Sequence, residues 1–426
     1  QAGIFVMVQI FSFRAFRPPT EEAQQIASVP YDVVSTDESR AVLAENPESF
    51  LQVIRSEATL PTDTDPAAPV VYETATANLG TLIDDGLLIQ DDEPGIYLYR
   101  VKQGGHLYTG FVATVSVDDY RDNKIKRHEH TRYDKEEDRT RHIDTTDMHT
   151  GLVVLLYRDP GDIFPYVSYL IAEGAPDGVA KTGAGDVHEV FRIADAEAIS
   201  TLQEMFAGVD AFYIADGHHR AKSSVNVADM RSKEGRFTPE SGRFMAIILA
   251  ENRVKIHGYS RLLRDIGDYK PDMFMAGLSE IFSVKPYGEI EDTVFCIPPL
   301  AESAVPVHVM HMYMGGAWYE LSCPVDTAAD RIASLDVSLL QKSVLEGMLG
   351  VTDPRGDPRL QYLGGARPLR DLQNRVDSGE FTVAFSMQPV RVDDVLGIAD
   401  EGGVMPPKST WFEPKVLSGL VLHSLK

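Results

Sequence analysis

Two glycine pairs, each flanked by alternating apolar residues, restrict the fold of this chain more than any other feature. Gly95-Ile96-Tyr97-Leu98-Tyr99-Arg100-Val101 runs into Gln103-Gly104-Gly105 and returns over residues 106–117. Alternation of Tyr and Val is the pattern of a half-buried strand, and glycines supply the backbone angles of a tight hairpin turn. Residues 305–314, Gly315-Gly316 and residues 317–321 repeat the arrangement later in the chain. Two strong antiparallel hairpins argue against a doubly wound parallel sheet. The expected fold class is α+β, with mixed and antiparallel sheets and flanking helices.

Further strands are expected over residues 6–16, 50–55, 152–157, 166–171, 187–193 and 243–249, with 254–259 pairing to the last of these. Helical spacing covers 21–27, 72–88, 196–206, 271–281 and 338–349, and Ser35 caps a helix that runs to Leu43. Residues 61–69, with alternating Thr, Asp and Pro, read as a loop. A chain of 426 residues is long for one core. The expected division is an α+β domain over 1–120, a central domain over 121–270 and a C-terminal α+β domain over 271–426.

The apolar run at 211–215 stops abruptly at Asp216-Gly217-His218-His219-Arg220, and helical spacing resumes from His218 to Val227. A strand-to-helix turn of this kind aims backbone N–H groups and a positive helix end at one spot, which suits an anion. Two imidazoles and a guanidinium make phosphate the natural ligand. The plainer alternative has Asp216 capping the helix, Gly217 supplying an unusual angle and Arg220 lying in solvent.

Two other runs carry unusual chemistry. Residues 125–142 include His128-Glu129-His130 and have almost no apolar face. On a helix Arg132, Lys135, Arg139 and His142 fall on one cationic stripe, either an anion wall or one side of a solvated, ion-paired helix. The His-Glu-x-x-His zinc pattern fails because position 132 is Arg. Residues 405–415 contain Lys408, Ser409, Thr410 and Lys415 among prolines, with Trp411 and Phe412 as core anchors or neighbours of a phosphate clamp. No P-loop, no glycine-rich dinucleotide fingerprint and no Gly-x-Ser-x-Gly elbow occurs.

The formal net charge of −24 argues against nucleic acid and anionic membranes as partners, so an anionic metabolite needs a local cationic pocket. Two cysteines, Cys296 and Cys323, form no CxxC, which favours a reducing, cytoplasmic setting. The apolar opening over 1–13 is too short to span a bilayer and is followed by Arg14 and Arg17, unlike a signal peptide. Because the sequence lacks an initiator Met, a natural start near Met7 is expected.

Taken in order, several stretches resemble the bacterial and archaeal family DUF1015. They are Pro30-Tyr31-Asp32-Val33-Val34-Ser35, Asn46-Pro47 with Phe50-Leu51, His128-Glu129 with Thr131, Lys135 and Asp138-Arg139, the Asp216–Arg220 box, and Pro407-Lys408-Ser409-Thr410 with Phe412 and Pro414-Lys415. The box alone resembles the phosphate-binding box of the ParB/sulfiredoxin-like superfamily, especially its free-serine kinases. That likeness implies a ParB/sulfiredoxin-like element around the box and a cytoplasmic phosphotransferase, with ATP or ADP as donor, Mg2+ as cofactor and free L-serine as first candidate acceptor. The alternative is a non-catalytic regulator that binds a nucleotide or an amino acid. Metal-dependent hydrolysis using His128, His130 and His142 ranks below both.

The expected roles follow. Asp32 or Glu129 is the base, with Asp216 and His218 completing the catalytic group. Gly217, His219, Arg220, Lys135 and Arg139 hold phosphate. Tyr31, Arg132, Lys408, Ser409, Thr410 and Lys415 hold substrate, and Asp216 with Glu129 holds the metal. The partners expected are a small molecule and a second copy in a homodimer, with no nucleic acid and no membrane.

Overall fold

A computed structural model of the chain describes residues 7–171, 174–291, 295–365 and 367–426. The apolar opening and the first residue of the expected 6–16 strand therefore fall partly outside the described residues. The chain divides into two compact units, Gln1–Val254 with Pro414–Lys426, and Lys255–Glu413.

The first unit is built on a mixed sheet. In chain order its strands are β1 (Ile10–Phe11), β2 (Ile96–Gln103), β3 (His106–Ser116), β4 (Ile125–Lys126), β5 (Val153–Tyr157), β6 (Gly178–Lys181), β7 (Val187–Ile193), β8 (Phe212–Asp216) and β9 (Arg243–Ala250). Across the sheet they run β4-β8-β5-β9-β3-β2-β7-β6, with β1 against β3. The β2–β3 hairpin forms as its alternation demands, with Gln103 opposite His106. Only β4 with β8 and β5 with β9 are parallel among the described pairs of this sheet. β3 and β9 are buried almost throughout because both lie inside the sheet. A four-stranded sheet in the same unit joins Ile89–Gln90, Ala15–Arg17, Leu422–Ser424 and Met148–His149 in that order.

Three helices set up the site. α1 (Thr36–Glu45) starts in a capping box, with the Ser35 hydroxyl accepting from Glu38 N–H and the Glu38 carboxylate accepting from Ser35 N–H, which anchors the end of the Tyr31–Asp32 loop. α2 (Tyr133–Thr146) has few buried apolar residues and is held by polar ties instead. The Ser223 hydroxyl donates to Glu136 O at 2.9 Å, Arg231 pairs with Asp144 at 2.7 Å, and the Tyr72 hydroxyl donates to Asp138 at 2.9 Å. Ser223 and Arg231 belong to α3 (His218–Lys233), which lies beside α2.

Several expectations change. Residues 50–55 are not a strand but a short helix, Leu51–Ile54, whose Leu51, Val53 and Ile54 enter a core with Leu79 and Leu82. Residues 166–171 likewise sit at the end of helix Ile163–Leu170, burying Ile163 and Val167 one turn apart. A short apolar run fits either period, and here the helical face won. Residues 254–259 do not pair with β9, because β3 and β5 already occupy both of its edges. Lys255–His257 pairs instead with Trp411–Glu413 inside the second unit.

The second unit also carries a six-stranded antiparallel sheet, which includes the expected hairpin as Val307–Met314 and Ala317–Pro324. Its core gathers Leu262, Tyr313, Trp318, Leu372 and Phe381. The expected helix over 338–349 is an α-turn, Asp336–Leu339, followed by a π-helical stretch, Leu340–Glu346. The three-part division expected from sequence differs from these two units, since β2 and β3 share a sheet with β8 and β9, and residues 414–426 return to the first unit. No helix among the described residues is long and apolar enough to cross a membrane.

Candidate functional site

The join between β8 and α3 is built around one glycine. Gly217 has φ of +88°, a conformation that costs an L-residue with a Cβ, and it stands at the N-cap of a 16-residue helix. A Cβ there would lie 2.8 Å from Arg220 Nε. Asp216 is therefore not the cap. A register shift between Ile214 and Asp216 leaves the carboxylate able to accept from Lys415 Nζ at 2.7 Å, with Arg220 Nη2 at 3.6 Å. Burial pushes this carboxyl up, but the Lys415 ammonium and Arg220 guanidinium outweigh it and hold the group well below the usual carboxylate range.

His218 opens α3 and is 5% exposed. Its ring meets the buried His128 edge-on, with centroids 4.6 Å apart at 86°. Nδ1 lies 4.0 Å from Glu129 Oε2, beyond hydrogen-bond length, and Nε2 is buried without a hydrogen-bond partner. Burial, then the neighbouring His128, pushes His218 well below the ordinary imidazole value, so it is neutral at pH 7. His128, hydrogen-bonded to the Ile214 backbone, is likewise lowered to about 4 by burial. His219 Nε2 accepts from the Arg132 backbone N–H at 3.0 Å, which stitches the start of α2 to the start of α3.

The cationic stripe expected on α2 divides. Arg132 is the residue before the helix and pairs with Asp134 at the surface, and Lys135 is exposed. Arg139 turns inward, its guanidinium 4.2 Å above the Tyr31 ring, with Nε donating to Asp138 at 2.9 Å. Burial raises the Tyr31 phenol. Asp32 is exposed, and its charge acts on both Arg220 and His219. Tyr31, Asp32, Glu129, Arg139, Asp216–Arg220 and Lys415 thus gather in the first unit. Lys408, Ser409 and Thr410 belong to the second unit. There Lys408 sits 5.3 Å from the Tyr259 ring, and the Ser409 hydroxyl donates to Pro406 O at 2.6 Å.

Residues without a recognisable motif complete the surroundings. Arg220, Arg139 and Tyr31 line a small cavity of about 20 Å3, partly open to solvent, and His149 and Thr150 also line it. Of the two expected metal ligands, Asp216 is engaged by cations and Glu129 lies beside His218. Asp216 already faces an ammonium and a guanidinium, and no group of three or more His, Cys, Asp or Glu side chains among the described residues could hold a metal.

Fold and site define an α+β protein with a mixed sheet and a histidine-bearing turn at the start of a long helix. Residues 10–338 match the family described as "Protein of unknown function (DUF1015)", and the chain belongs to that family. Among solved structures it is similar to a mutant free serine kinase in complex with AMP, at 15% identity and TM-score 0.35, covering 71% of this chain and 87% of that one. A conserved hypothetical protein from Pyrococcus furiosus matches at 15% identity and TM-score 0.32, covering 71% and 90%. SbnI with a C-terminal truncation, from Staphylococcus aureus, matches at 12% identity and TM-score 0.34, covering 71% and 82%. No curated protein matches the sequence.

Proposed function

We propose that the protein is a nucleotide-dependent phosphotransferase that acts on a small hydroxyl metabolite, with ATP or ADP as donor and free L-serine as first candidate acceptor. The observation that carries the reading is His218. A buried imidazole nitrogen without a partner, at the N-terminus of a 16-residue helix, is a ready donor or acceptor for a phosphate oxygen. The backbone N–H groups of the first helical turn add donors, and the helix end favours negative charge.

Phosphoryl transfer asks chiefly for positioning and neutralisation of charge. In the proposed step the acceptor hydroxyl oxygen bonds to the terminal phosphorus while the bond to the leaving nucleotide oxygen breaks. The hydroxyl proton passes to a carboxylate, and Asp32 and Glu129 are the two candidates beside the histidines. Lys415, which donates to Asp216, has a supporting role in this reading. Serine is named first because of the resemblance carried by the Asp216–Arg220 box.

The test is incubation with L-serine and ATP or ADP, with and without Mg2+, followed by mass spectrometry for phosphoserine. A panel of other hydroxyl metabolites widens the search. Product that disappears in His218→Ala supports the proposal. Nucleotide binding with no product from any acceptor overturns it in favour of a regulatory nucleotide-binding protein.

A further inference from the structure

A hydrogen-bond relay that the phosphotransfer reading does not use ends at His149, on the lining of the cavity that Arg220 also lines. His423 Nε2 lies 2.7 Å from Glu240 Oε2, and His423 Nδ1 lies 2.9 Å from His149 Nδ1. The two histidines are register partners on neighbouring strands, so the backbone sets their spacing. Both are buried, at 1% and 4% exposure.

The end group fixes the direction of the relay. An ionised carboxylate only accepts, so His423 Nε2–H donates to Glu240, which Arg243 also contacts at 3.2 Å. A neutral His423 then has its lone pair on Nδ1, and His149 Nδ1–H donates to it. His149 is left with a lone pair on Nε2. Burial, then His423 and Arg231, keeps this ring from taking a second proton. His149 makes no other hydrogen bond among the described residues, and its ring lines the cavity.

The same cavity is lined by two guanidinium groups. The Arg220 side chain is 10% exposed, and its guanidinium makes no hydrogen bond among the described residues, having only the 3.6 Å ion pair to Asp216. Two glycines seat it. A Cβ on Gly217 would meet Nε at 2.8 Å, and one on Gly151 would meet Nη1 at 3.4 Å. Arg139 adds a second guanidinium. A cavity lined by both a buried fork of donors and an obligate acceptor attracts a fully deprotonated anion through the first and repels it through the second. A ligand that carries both an oxyanion and a proton donor satisfies both.

We infer that this cavity binds a small oxyanion bearing its own hydrogen-bond donor, held by Arg220 and Arg139 and read by His149 Nε2. Glu240 and His423 are positioning residues that set the His149 tautomer. A hydrogen phosphate and an α-hydroxy or α-amino carboxylate share this chemistry. The inference does not depend on phosphoryl transfer, because binding is measured without nucleotide.

Calorimetric titration of the full chain with matched pairs provides the test: phosphate against sulfate, and glycolate or glycine against acetate. Within at least one pair the donor-bearing anion binds tighter by about tenfold, the worth of one such hydrogen bond, and which pair responds identifies phosphate or carboxylate as the ligand. His149→Phe levels the members of that pair, Glu240→Gln narrows the gap, and Arg220→Met weakens all the anions. Equal affinities within both pairs for the unmodified protein, or no anion binding at all, overturn the inference without any variant and leave the phosphotransfer reading standing.

Discussion

His128, His142 and His218 lie deep in the first unit as neutral imidazoles. Burial lowers His128 and His142 to about 4 from an ordinary value of 6.5, with Arg139 adding to the effect on His142. The folded protein therefore refuses protons that the unfolded chain accepts, and stability must rise with pH in that interval. It is complete above 6.5 and is lost as pH falls toward about 4. Unfolding free energies from urea titrations across this window should decline steadily on acidification, by about 1.4 kcal/mol per group per pH unit once the unfolded imidazole is mostly protonated, and the midpoints should fall with them. A midpoint unchanged across the window would contradict the buried, neutral assignment. The same refusal bears on the proposed function, in which a neutral His218 would meet a phosphate oxygen as a hydrogen-bonding group and not as a cation.

Among the elements, the loop carrying Lys415 and the end of β8 depend on each other. Lys415→Met leaves the Asp216 carboxylate with Arg220 as its remaining close cation, and the expected loss is about 1–3 kcal/mol in chemical denaturation. Adding Asp216→Asn to that variant should restore part of the loss, and a purely additive pair would argue that the ion pair contributes nothing. Much at this scale was legible in advance. The 187–193 strand, the 196–206 helix, both hairpins and the turn at Asp216-Gly217 follow from period, glycine placement and burial pattern. Residues 50–55 and 166–171 misled because a short apolar run carries no period of its own. The inward turn of Arg139 away from Arg132 and Lys135 was equally invisible, since a helical stripe says nothing about where the neighbouring loop will put an aromatic ring. The Glu240–His423–His149 relay had no signal at all, because two of its members stand 274 residues apart and meet only through strand pairing.

At the scale of the whole molecule, each unit has a sheet and a core of its own. The second unit packs Leu262, Trp318, Leu372 and Phe381 on a six-stranded sheet. A polypeptide of Lys255–Glu413 alone should unfold in one sigmoidal transition with native-like near-ultraviolet circular dichroism. A broad, featureless transition would mean that its core depends on the rest of the chain. The two-unit division escaped a linear reading because composition along the chain marks linkers, whereas residues 414–426 rejoin the first unit by strand pairing and an ion pair.

That return has a consequence for how the protein is made. Lys415 and His423 leave the ribosome only after the entire second unit has been synthesised. Until then Asp216 lacks its ammonium partner, His149 lacks the ring that sets its tautomer, and Leu422–Ser424 has not yet joined the strands it pairs with on either side. Translation order thus leaves the cavity that His149 and Arg220 line unfinished until the second unit has been made, and a nascent chain stalled before Pro414 would carry the Asp216–Arg220 box without the groups that tune it.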